Sequence, residues 1–77
     1  MNALESKIAK ALGKKRMAKV HSIMDYGTAV DLYLIKGLVN RDAGEDMIFE
    51  LWDYKSDYTV AEIIFYAKRF VDEAEAV

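Results

Sequence analysis

The chain has no cysteine, no proline and a single histidine in 77 residues. Without Cys, disulfides cannot brace a domain this small, and a reducing compartment is tolerated. The lone His21 precedes Asp25 by four residues, a spacing that would put both on one helix face, but two ligands are too few to hold a metal. Ser6, Ser22 and Ser56 lie in no nucleophile-elbow context. Gly13 is followed by two lysines without the second glycine or the hydroxyl of a phosphate loop. The acid pairs Glu45/Asp46 and Asp72/Glu73 are adjacent in sequence, so on a helix their side chains diverge. The sequence therefore predicts a protein that is not an enzyme and carries no cofactor and no metal.

Long apolar runs are also missing. None approaches the roughly 20 residues that span a bilayer, so no membrane insertion is expected. The opening "MNALESKIAKALGKKR" has no continuous apolar stretch with a cleavage site and is not read as a signal peptide. A cytoplasmic location follows as the expectation. No internal repeat or low-complexity segment divides residues 1–77, which are read as one domain.

Charge is unevenly placed along the chain. Residues 1–40 hold seven cations against three acids, a net +4, and the rest holds four against ten, a net −6. Either the two halves attract each other, or the basic segment meets an acidic partner. Lys14, Lys15, Arg16 and Lys19 form the densest basic group and are the candidate contacts for nucleic acid or an acidic protein patch. Alignment of "AKVHSIMDYGTAVDLYLIKG" to a helix-turn-helix through Gly27 fails. It places Ser22, Thr28 and Lys36 at positions that should be apolar.

More than half of the chain is hydrophobic, and its spacing reads as helical. Leu4, Ile8, Ala11 and Leu12 form a first stripe that ends at Gly13, and Met17, Val20 and Met24 form a second. Residues 28–39 are apolar on every side of a helix, with Asp31 either buried or serving as the N3 acid of a helix capped by Thr28. "NRDAGED" marks a loop in which Asp42 or Asp46 can cap a helix over 47–54. Thr59 and Glu62 have capping-box spacing and begin a final helix over about 59–75. The expected fold is all-α, a compact bundle of four or five short helices with no β-sheet.

Two apolar surfaces exceed what such a bundle needs. The stretch 28–39 has no polar side, and the 47–54 helix would carry an apolar arc of about 220°, where roughly 100° suffices to cover one core. Seven of the nine aromatics lie between Phe49 and Phe70. In the last helix Val60, Ile63, Ile64, Ala67, Phe70, Val71 and Ala74 share a face, and Phe65 lies opposite. Phe65, Trp52, Phe49 and Tyr66 are therefore the candidate partner-binding residues. The function expected is a helical module that binds protein, itself included as a homodimer or higher oligomer. It would regulate or inhibit a larger protein, as small accessory proteins of bacteria and their viruses do. The alternative is a nucleic-acid-associated protein using the basic N-terminal segment.

Overall fold

A computed structural model of the chain describes residues 1–35, 37 and 48–74, with Ile48 and Phe49 described in their backbone only. Helix α1 (Ala3–Met17) leads into strands β1 (Val20–Asp25), β2 (Ala29–Leu34) and β3 (Ile48–Trp52), followed by a one-turn helix α2 (Tyr54–Asp57) and helix α3 (Val60–Glu73). The strands form an antiparallel sheet in the order β1-β2-β3. Helix α1 packs on β1, α3 packs on β3, and the two helices pack on each other. One face of the sheet is thus covered. The core between the layers joins Ile8 and Leu12 of α1 to Ile63, Ala67 and Val71 of α3 and to Val30, Leu32 and Leu34 of the central strand.

The expected all-α bundle of four or five helices is overturned by these three strands. Residues 20–34 carry both periodicities, and the helical reading takes the wrong one. At period two, Val30, Leu32 and Leu34 fall on one face and Ala29, Asp31 and Tyr33 on the other. Gly27 and Thr28 supply the two-residue connection of a hairpin, closed by the Tyr26 N–H donating to the Ala29 carbonyl at 2.9 Å. Gly27 takes φ +84°, which a glycine at the first loop position adopts without steric cost. Thr28 is therefore a turn residue and caps no helix, and Asp31 pairs in the middle of a strand. A central strand is flanked on both sides, which buries even side chains that face away from the helices. Ala29, Val30, Asp31, Leu32 and Leu34 are all buried. Apolarity on every side of 28–34 is thus the mark of a central strand, and this part of the surplus that motivated self-association is absorbed within one chain. The 47–54 helix is likewise replaced, by β3 and the start of α2. The loop reading at 40–46 and the caps Asp42 and Asp46 lie outside the described residues.

The helices at either end follow the expected local chemistry. Thr59 caps α3, accepting from the Glu62 N–H at 3.1 Å while the Glu62 carboxylate accepts from the Thr59 N–H at 2.9 Å. Helix α1 has the same device in Asn2 and Glu5, a pair outside the sequence-based expectations. Gly13 interrupts α1 at φ +80°, ψ 171°, and one further helical turn carries the chain to Met17. No helix among the described residues is long and apolar enough to cross a membrane.

Candidate functional site on the open face of the sheet

The face of the sheet away from the helices gathers residues that the sequence scatters. Its centre is a row across the strands, Met24 opposite Asp31 and Asp31 opposite Glu50. Tyr33 lies beside this row on β2, and Trp52, paired with Ala29, lies beside it on β3. Alternation along each strand sends these side chains to the same side, and the hydrogen bonds agree. The Tyr33 hydroxyl donates to Asp31 Oδ2 at 3.1 Å, and the Trp52 indole N–H donates to Glu50 Oε1 at 2.7 Å.

No described element packs over this face. Trp52 is 62% exposed, and Tyr26 and Met24 are also exposed. Asp31 is the exception at 5%, and its Oδ1 has no hydrogen-bond partner. Two carboxylates stand directly opposite each other here, an arrangement that destabilises a strand pair. Neither has an ion-pair partner among the described residues. The Tyr33 hydroxyl is pushed up to about 12, first by the neighbouring Tyr26 hydroxyl and then by the Asp31 carboxylate that accepts its hydrogen bond.

The hairpin that bears Met24 and Tyr26 is anchored by a polar network at the start of α1. The buried Glu5 carboxylate accepts from the Asn2 N–H at 2.7 Å and from the Asp25 N–H at 2.8 Å. Asp25 in turn accepts from the Gly27 N–H, the Asn2 amide and the Tyr54 hydroxyl. The backbone donors of Asp25 and Asn2 hold the Glu5 carboxyl below its ordinary range. The Tyr54 hydroxyl, ahead of the Gly27 and Asn2 donors, does the same for Asp25. Burial and then Asp25 push Tyr54 up to about 12. Asp25 is fully engaged in this way, while the His21 ring is exposed and within 3.2 Å of the Ser22 hydroxyl; both lie on β1, where the helix-face spacing expected of them does not apply.

The four aromatic candidates do not form one patch. Phe65, 58% exposed, meets Tyr66 edge to face with ring centroids 5.3 Å apart, and Tyr66 meets Tyr58 in the same way at 5.9 Å. These three lie on α3 and its approach, whereas Trp52 belongs to the open sheet face and has no ring contact with them. The Phe49 side chain lies outside the described residues. Val60, assigned to the core stripe, is exposed, and Ile63, Ala67, Val71 and Ala74 are buried as that stripe requires. Met24, Tyr26, Asp31, Tyr33 and Glu50 were missed, because only strand periodicity aligns them with Trp52.

The basic group is partly consumed inside the fold. The Arg16 guanidinium grips Asp72 through two hydrogen bonds of 2.8 and 3.1 Å and also donates to the Leu12 carbonyl. Lys19 donates to the Ala74 carbonyl at the end of α3, where a cation complements the helix dipole. Lys14 and Lys15 remain exposed. Two of the four candidate phosphate contacts thus join the positive half of the chain to the negative half. In comparisons with known proteins, no family, no curated protein and no solved structure matches this chain.

Proposed function

We propose that the chain is a non-enzymatic protein-binding module, a regulator or inhibitor of a larger protein, and that it engages its partner through the open face of the sheet. The observation that carries this reading is the exposure of Trp52, Tyr26 and Met24 around two carboxylates that have no ion-pair partner among the described residues, on a face that no described element covers. Trp and Tyr contribute most of the energy at protein interfaces, because each buries a large rigid surface with a polar handle at its edge. The basic N-terminal segment supports the nucleic-acid alternative less well, since Arg16 and Lys19 would have to leave Asp72 and the end of α3 to reach phosphates.

The test is site-specific photocrosslinking in extract of the native host, with the crosslinker placed singly at positions 24, 52 and 65. A single protein captured from 24 and 52, and lost when Glu50→Lys is added, is the expected result. Capture from 65 alone would move the contact to α3. Capture of no protein from any position would refute the reading.

A further inference from the structure

We propose that the open face is a seat for an arginine side chain of the partner protein; this rests on the protein-binding reading above and supplies the partner's chemistry. Asp31 and Glu50 are directly opposed across β2 and β3, and no described cation balances either. The second observation is independent of the charge count: Asp31 is 95% buried on this face, and its Oδ1 lacks any donor. A buried acceptor left unpaired in the free protein is completed when a bound group brings a donor to it.

The donor that fits is a guanidinium. It is planar, carries five N–H groups in a fixed fork, and can bond two carboxylates while stacking on an aromatic face. Trp52 and Tyr33 each bond one of the two carboxylates, so aromatic rings and acceptors stand together on this face. The Trp52 indole N–H donates to Glu50 Oε1 on this face. A guanidinium that takes Glu50 competes with that indole for the carboxylate, and Asp31 lies directly across the strand pair from it. An ammonium, compact and strongly hydrated, satisfies fewer of these acceptors and stacks less well.

Trp52 is the sole tryptophan, so its emission reports directly on the seat. The full chain is titrated with hexa-arginine amide and, separately, hexa-lysine amide, following Trp52 fluorescence and the heat of binding by calorimetry. Saturable 1:1 binding is expected, about tenfold or more tighter for arginine than for lysine. Asp31→Asn and Glu50→Gln should each weaken it about tenfold or more. Asp57→Asn and Glu73→Gln, which remove acids off this face, should leave it unchanged. Melting curves of all four variants establish that each is folded. No saturable binding, equal affinity for the two peptides, or equal weakening by the off-face variants would overturn the proposal. If crosslinking at position 52 still captures a protein in that event, the protein-binding reading stands and only its arginine chemistry falls.

Discussion

Asp31 is the residue at which stability and binding pull in opposite directions. Its carboxylate is buried, opposes Glu50 and leaves Oδ1 without a donor. An unsatisfied buried acceptor costs about 1–3 kcal/mol, and charge raises that figure. Asp31→Asn keeps an acceptor for the Tyr33 hydroxyl and removes the charge, so it should stabilise the fold by about 1 kcal/mol in urea denaturation. A loss of stability would mean that the carboxylate is compensated in solution. Glu5 and Asp25 predict the opposite behaviour with pH. Their carboxyls are held below the ordinary range in the fold, so the stability they confer is full above about pH 5 and is lost as pH falls through their unfolded and then their folded values. Tyr54 has a raised value, so its contribution is full below about pH 10 and fades as pH rises toward about 12. Melting temperature followed against pH should drop at both ends. In the absorbance titration of tyrosinate, Tyr33 and Tyr54 should ionise toward about pH 12, and replacing Tyr54 with Phe should remove one of these late steps.

At the scale of elements, α1 and α3 offer contrasting tests. Gly13 sits at φ +80°, ψ 171°, a region that costs a residue with a Cβ about 1–3 kcal/mol. No neighbouring atom lies within 4 Å of a Cβ built there, so the loss from Gly13→Ala is backbone strain without a clash. Chemical denaturation should show that loss, and a neutral result would mean that the kink relaxes into a continuous helix. On α3, Ile63 is 1% exposed in the centre of the core and Phe65 is turned outward against Tyr66. Ile63→Ala should cost about 2–5 kcal/mol. Phe65→Ser should cost far less, since it forfeits an exposed edge contact and a few tenths of a kcal/mol of helix propensity. Similar losses for the two variants would reverse the faces of the helix.

The whole molecule is closed by contacts between its first and last helices. Arg16 on α1 and Asp72 on α3 form a bidentate pair that spans 56 residues of sequence. Both side chains are partly open to solvent, so salt should screen the pair. Arg16→Gln should lower the melting temperature at low ionic strength and lower it less at about 1 M NaCl. An effect independent of salt would assign the role to the bond from Arg16 to the Leu12 carbonyl. The same closure explains why the net +4 and net −6 halves coexist in one small domain. Part of the basic segment serves as an internal fastener between helices, and Lys14 and Lys15 remain on the surface.

What the sequence by itself determined is what neighbours along the chain can settle. The Thr59–Glu62 capping box, the buried stripe Ile63, Ala67, Val71 and Ala74, the outward Phe65 and the interruption at Gly13 all follow from contacts within four residues. The strand segment 20–34 was decided by tertiary structure, because its apolar pattern satisfies a helix and a strand equally and strand pairing draws its stabilisation from distant residues. β2 is a strand because β1 and β3 take its hydrogen bonds on both edges while α1 and α3 cover one face. The candidate site belongs wholly to that decision. Met24, Asp31 and Glu50 become one row only through strand register, and a shift of one residue would turn Asp31 into the core and Leu32 toward solvent.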